Sequence, residues 1–205
     1  MRTVISGAGL AAVLFGALVA PASAAPSQPN VDLSGAVATP GKAVTDLPSP
    51  KSLNAEGPNV CFRGHVQDIG WQQWNCDTDP DGAADAGTTG QNLRLEAIQI
   101  IARETGGLTC AQAHVQDIGW QGGEGEGQQC VEDGSVIEIG TVGRGLRIEA
   151  IFFGSTVLRT CSEAHVQEIG WMGQNCQAAG FGAIVGTTGK GLRLEAVRST
   201  VRQKP

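Results

Sequence analysis

Tyrosine is absent from this 205-residue chain, lysine is scarce, and aromatic residues make up only 4%. A core with so few large rings must be closed mainly by aliphatic side chains, which makes the four tryptophans conspicuous. The shortage of basic residues leaves a formal charge of −6. That balance argues against nucleic acid, whose binders carry basic patches, and against anionic membranes or polyanions by charge alone. Long amphipathic helical patterns are missing too: no segment keeps apolar residues at i, i+3, i+4 and i+7 for three turns. No C-x-x-C spacing occurs among the six cysteines, which removes a common metal-binding pattern.

What the chain has instead is repetition. His65-Val66-Gln67-Asp68-Ile69-Gly70-Trp71 returns as His114-Val115-Gln116-Asp117-Ile118-Gly119-Trp120 and again as His165-Val166-Gln167-Glu168-Ile169-Gly170-Trp171. A second phrase follows each: Leu93-Arg94-Leu95-Glu96-Ala97, Leu146-Arg147-Ile148-Glu149-Ala150 and Leu192-Arg193-Leu194-Glu195-Ala196. The histidines lie 49 and 51 residues apart. A fixed period of this size means an array of equivalent structural units. Such repetition suits a binding surface, which gains by avidity, better than a catalytic centre built from one asymmetric set of groups.

The first 57 residues carry neither phrase. Residues 1–24 combine Arg2, an apolar run from Val4 to Ala20, and Ala22-Ser23-Ala24, the pattern of a secretory signal peptide cleaved after Ala24. Its loss would change the formal charge from −6 to −7. The apolar run is short and glycine-rich for a membrane span, so no span is expected. Residues 25–57 are rich in Ala, Pro, Ser and Gly and are expected to form a flexible arm, the alternative being a strand added to the first repeat around Val31 to Val37. Residues 58–205 are expected to form a single domain of repeats at about 58–106, 107–157 and 158–203.

Two cysteines fall in each repeat and bracket its His-to-Trp phrase. Six cysteines allow 15 pairings in principle. Repeat symmetry selects Cys61–Cys76, Cys110–Cys130 and Cys161–Cys176, and an exported protein favours disulfides over thiols.

Strand signals exceed helix signals. Alternation puts Leu93, Leu95 and Ala97 on one side and Arg94, Glu96 and Ile98 on the other. The His-Val-Gln run is a second short strand, and Val136–Ile139 and Ala183–Val185 form a third, with Ala83–Ala86 as the weaker counterpart. Three such units predict an all-β domain with pseudo-threefold symmetry. A β-prism with one sheet per repeat and tryptophans meeting in the core is expected, with a β-trefoil as the alternative.

The His-Val-Gln-Asp/Glu-Ile-Gly-Trp, Gly-Thr-x-Gly and Leu-Arg-Leu-Glu-Ala runs resemble the clostridial hydrophobic repeat, or ChW repeat, over roughly residues 60–203. The resemblance implies a secreted or surface-associated bacterial protein that takes part in adhesion. It carries over no catalytic residues. The cysteine pair in every repeat departs from the family pattern.

Candidate binding residues are Gln67, Asp68 and Trp71 with their equivalents Gln116, Asp117, Trp120, Gln167, Glu168 and Trp171, together with Trp74, which occurs once and is expected to be exposed. The Arg-x-Glu pairs read equally as structural bridges or as a groove for hydroxyl groups. His65, His114 and His165 are the only histidines; a metal site would require them to meet, and neither metal nor cofactor is expected. The Gly-Thr-x-Gly runs are turns rather than phosphate loops, because no helix and no Lys-Ser/Thr follow. The expected function is a secreted, non-enzymatic module that contacts a cell-surface or extracellular polysaccharide or protein. The alternatives are a glycoside hydrolase using carboxylates such as Asp68 and Glu96, or a self-associating surface or matrix protein.

Overall fold

The computed structural model describes residues 30–49, 57–77, 82–122 and 127–202. The expected signal peptide lies outside them. Among the described residues every element is a strand. Strand β1 (Val31–Asp32) precedes the repeats. The first repeat supplies β2 (Asn59–Val66), β3 (Gly70–Trp71), β4 (Asn75–Cys76), β5 (Ala84–Gly87) and β6 (Leu95–Arg103). The second supplies β7 (Thr109–Val115), β8 (Gly119–Gln121), β9 (Gln129–Val131), β10 (Val136–Gly140) and β11 (Ile148–Ser155). The third supplies β12 (Arg159–Val166), β13 (Gly170–Trp171), β14 (Asn175–Gln177), β15 (Phe181–Gly186) and β16 (Leu194–Arg202).

These strands form three antiparallel sheets around one core, the prism arrangement. The sheets are not one per repeat, however. The sheet of the first repeat runs β10-β6-β2-β3 with β4 also on β2, so its edge strand comes from the second repeat. The second sheet takes β15 from the third repeat, and the third sheet takes β5 from the first. Each repeat therefore lends one strand to the sheet before it, and the loan closes in a ring.

The Gly-Thr motif makes that loan possible. Thr141 N–H donates to the Glu96 carbonyl (2.8 Å), Thr187 to Glu149 (2.9 Å) and Thr88 to Glu195 (2.8 Å). Gly140, Gly186 and Gly87 sit beside those carbonyls at φ of 91°, 104° and 100°. A Cβ on any of them would collide with the neighbouring repeat's backbone. Glycine is required at this position by both conformation and space.

Side chains pointing inward from all three sheets make the main core, including Phe62, Leu95, Ile98, Ile137, Ile148, Phe153 and Leu194. Phe62 and Phe153 meet edge to face across two sheets, centroids 5.2 Å apart. The third sheet contributes small residues at the matching positions, where Ser162 and Ser199 bond each other at 2.8 Å. No tryptophan belongs to this core, contrary to expectation. The indoles lie on the outer faces, because the tight turn after Val66, Val115 and Val166 folds each one back over the outer histidine.

The three disulfides join Cys61 to Cys76, Cys110 to Cys130 and Cys161 to Cys176. Each cross-links directly opposite residues of adjacent strands on the outer face. The ends of the ring meet at Asp77, which is 3% exposed. It accepts from Val201 N–H (3.1 Å) and from the Arg202 guanidinium. Burial pushes its carboxyl above the usual value of 3.8, and the bonds from Arg202 and Val201 act in the opposite sense.

Part of the arm expected to be flexible is built into the fold. Val31 and Asp32 pair with Gly182 and Phe181 of β15. Leu33, 2% exposed, packs on Phe152 and the Cys110–Cys130 disulfide. Further along, Lys42 bridges to Val136 at the edge of the first sheet. The scattered apolar residues that show no periodicity are thus individual anchors onto existing sheet edges.

Candidate functional site

The conserved geometry of the three repeats begins with a β-bulge. Val66 pairs with Leu95 and His65 with Ala97, which leaves Glu96 as the extra residue. Glu149 and Glu195 are bulged in the same way. A bulge bends the strand and re-aims a side chain. It also shifts the phase of the strand, so Leu95 and Ile98 both face the core, where simple alternation puts them on opposite sides.

The bulged carboxylate is held from two directions. Glu96 Oε2 lies 3.0 Å from His65 Nδ1, and Oε1 accepts from Arg94 Nε at 2.8 Å. In the second repeat Glu149 lies 3.2 Å from His114 and 2.7 Å from Arg147 Nη2. In the third, Glu195 lies 3.2 Å from His165 and 2.9 Å from Arg193 Nη2. The last two His–Glu approaches are too far off axis for a hydrogen bond and act as close electrostatic contacts. Each Arg also reaches the glycine loop of the next repeat: Arg193 bonds Asn92 Oδ1, and Arg94 and Arg147 lie beside Gly145 and Gly191.

Each histidine meets its tryptophan edge to face, with centroids 5.3, 5.4 and 5.4 Å apart. The unit is therefore a stack of Trp, His, Glu and Arg, repeated once per sheet. The glutamates are buried and fully engaged, so the Arg-x-Glu pairs are structural clamps. The three histidines stay on separate sheets, each with its own Glu. Among the described residues no group of three His, Cys, Asp or Glu side chains is placed to hold a metal.

The outer part of each unit is the turn. Ile69, Ile118 and Ile169 donate their N–H groups to Val66, Val115 and Val166, each at 3.1 Å. Asp68, Asp117 and Glu168 sit in the left-handed region, at φ of 62°, 62° and 65°. All three are exposed, while Gln67, Gln116 and Gln167 are half-buried and bonded by their backbones to Arg94, Arg147 and Arg193. The isoleucines are 50%, 39% and 46% exposed. Their place in the motif carried the signal, because an acidic residue before Ile-Gly is turn chemistry rather than strand chemistry. The carboxylates weighed for hydrolysis differ sharply: Glu96 is enclosed between Arg94 and His65, while Asp68 stands on the open turn.

The tryptophans differ between repeats. Trp71 is half-buried, with Arg63 over its ring at 5.3 Å. Trp120 is half-buried and packs beside the Cys110–Cys130 disulfide. Trp171 is 39% exposed, and Arg198 lies over its ring at 4.4 Å. Trp74, expected as an exposed platform, is half-buried: its Nε1 donates to the Asp46 carbonyl at 2.7 Å and Arg63 stacks on it at 4.6 Å. It holds the arm, which explains why it occurs once. Arg63 and Arg198 occur outside the repeated phrases and carry no sequence signal for stacking.

Comparison with known proteins bears on the three units directly. The family described as Clostridial hydrophobic W matches residues 65–101, 114–152 and 165–198, which are the three stacks and the strands that carry them. No curated protein and no solved structure matches the chain. With three matches that together cover more than half of its length, this chain belongs to the Clostridial hydrophobic W family.

Proposed function

We propose that this protein is an extracellular, non-enzymatic binding module that contacts polysaccharide or protein at a cell surface through three equivalent sites. The observation that carries this reading is the same exposed turn in every repeat: an outward Ile, an acidic residue held at positive φ, and an adjacent indole over a clamped histidine. The clamp fixes the turn, and a fixed surface loses little entropy on binding. Three weak contacts on one rigid body add by avidity. Three disulfides fit an oxidising, extracellular setting. Among the described residues no helix is long and apolar enough to cross a membrane.

Retention of the purified, oxidised protein on isolated cell wall tests this function. Wild type is expected to be retained. The Ile69→Ser, Ile118→Ser, Ile169→Ser triple variant is expected to elute early while keeping its thermal transition. Asp117→Asn tests one acidic turn alone. Equal retention of wild type and the folded triple variant would show that the turns are not the contact.

A further inference from the structure

The three sheets are equivalent, but among the described residues only two have an outer edge covered by the chain's own arm. On the second sheet β1 pairs with Phe181 and Gly182, and Leu33 N–H donates to Gly180 O at 2.8 Å. On the first, Lys42 N–H donates to Val136 O at 2.7 Å, and Lys42 Nζ lies 3.4 Å from Glu138. Asp46 then pairs with Arg63 at 2.9 Å, and Val44 packs on Cys61, Ile101 and Val136. In both places the arm lies extended, bonds the free edge by its backbone and matches the side chains of the face.

The third sheet offers the same seat. Gly182 and Val136 each stand four residues before the clasping glycine, Gly186 or Gly140; Ala83 stands four before Gly87. Among the described residues β16 is the only strand that pairs with β5. The Gln72 and Asn75 side chains bond its outer edge at Gly87 and at the Asp85 N–H, as Gln121 and Gln129 do at Gly140 and Glu138 on the first sheet. The open position is Ala83, the counterpart of Val136. Beside it runs a groove of about 590 Å³ whose lining includes Ala83, Asp85, Trp171, Gln174, Arg198 and Thr200. Asp85 occupies the position of Glu138, the residue that Lys42 meets. It is exposed, and among the described residues no basic side chain forms an ion pair with it within 4.0 Å. The nearest strand partner, Arg198, is turned to Glu163, whose Oε2 accepts from its Nε at 2.8 Å.

We propose that the outer edge of β5 is a docking site for an extended polypeptide segment of a partner protein, which adds as a strand at Ala83 and presents a lysine or arginine to Asp85. Strand addition supplies affinity through the backbone, and the charge at Asp85 supplies register. A polypeptide is favoured over a sugar because both equivalent seats already hold peptide, with a Lys opposite the carboxylate in one of them. This site is single, unlike the threefold turns; it shares the Trp171 indole with the third of them but rests on the β5 edge and Asp85, which the turns do not use.

The probe is a blocked synthetic peptide of residues 38–48 carrying Asp46→Asn. The substitution is needed because Glu163 stands where Arg63 stands on the first sheet. Titrated into the full oxidised protein, it is expected to shift the amide resonances of Ala83, Ala84, Asp85 and Arg198 and the Trp171 indole, with a Kd of about 1 mM or below. Lys42→Ala in the peptide or Asp85→Lys in the protein is expected to weaken binding about fivefold or more, and Asp85→Glu to preserve it. The unshifted resonances of the other two sheets report that each variant is folded. Absence of shifts at about 2 mM peptide, or equal binding to Asp85→Lys, would overturn the proposal. Shifts of the same groups by a cell-wall oligosaccharide but not by the peptide would also overturn it, in favour of a sugar groove.

Discussion

Glu96 reaches His65 because the two are out of register: Glu96 is the unpaired residue of a bulge, and its carboxylate lies 3.0 Å from the Nδ1 of the histidine whose strand partner is Ala97. The same displacement recurs in the other two repeats. The carboxylate fastens the histidine under the tryptophan and draws the arginine toward the next repeat. Glu96→Ala leaves a half-buried arginine and the histidine without their anion. The expected loss is roughly 2–3 kcal/mol. Denaturant unfolding of the oxidised protein measures it, and an unchanged midpoint would show that water serves both groups equally well.

Gly140 and Gly143 separate two effects of adding a methyl group. Both have positive φ, at 91° and 73°. Only Gly140 is crowded, by the Glu96 carbonyl and Ala97, whereas Gly143 faces open space. Gly143→Ala is expected to cost about 1 kcal/mol from backbone strain. Gly140→Ala adds a collision between repeats, for a total of roughly 3 kcal/mol. Paired thermal melts of the two variants would show the difference, and equal losses would dismiss the clasp.

Leu33 is the arm's main anchor on the second sheet. Leu33→Ala removes contacts with Phe152 and the Cys110–Cys130 disulfide at a cost of about 2–3 kcal/mol. The variant is expected to lose hydrogen-exchange protection at Leu33 and Ala36 before the sheets do, because their N–H groups bond Gly180 and Leu33 within the arm contact. Simultaneous loss over the whole domain would mean that the arm and the sheets unfold as one unit.

Asp77 sets a pH dependence with a definite sign. Its folded pKa is raised above 3.8 by burial, so the folded chain holds this proton more tightly than the unfolded chain. The stability it contributes is fully present below 3.8 and is lost as pH rises through the folded value. Asp77→Asn does not titrate. Melts of both proteins across this window are expected to show wild type gaining on the variant as pH falls. The opposite trend would mean that the Arg202 bond outweighs burial.

The features that repeat were legible in the sequence. The three units, their strands and the cysteine pairing all follow from symmetry and from period-2 patterning. The exchange of β5, β10 and β15 was not legible, because a strand pattern carries no sign of which sheet it joins. The bulge hid at Glu96 for a related reason: alternation runs on through Leu95, Glu96 and Ala97, and only the register with β2 reveals the extra residue. The tryptophans were placed inside because few other large rings were available, yet the aliphatic core fills without them. The arm's added strand at Val31 was an alternative in the sequence, but its host sheet and the anchors Leu33 and Lys42 were not legible, because single anchors have no period.

Because every repeat lends a strand backwards around the ring, the fold counts. Two repeats alone would leave one lent strand without a host sheet and one host edge without a guest, and four would leave the ring no way to close on three sheets. Truncation or duplication by one unit therefore does not give a smaller or larger version of this molecule. It leaves within one chain a strand without a host and an edge without a guest, the two complementary surfaces through which a second copy would join.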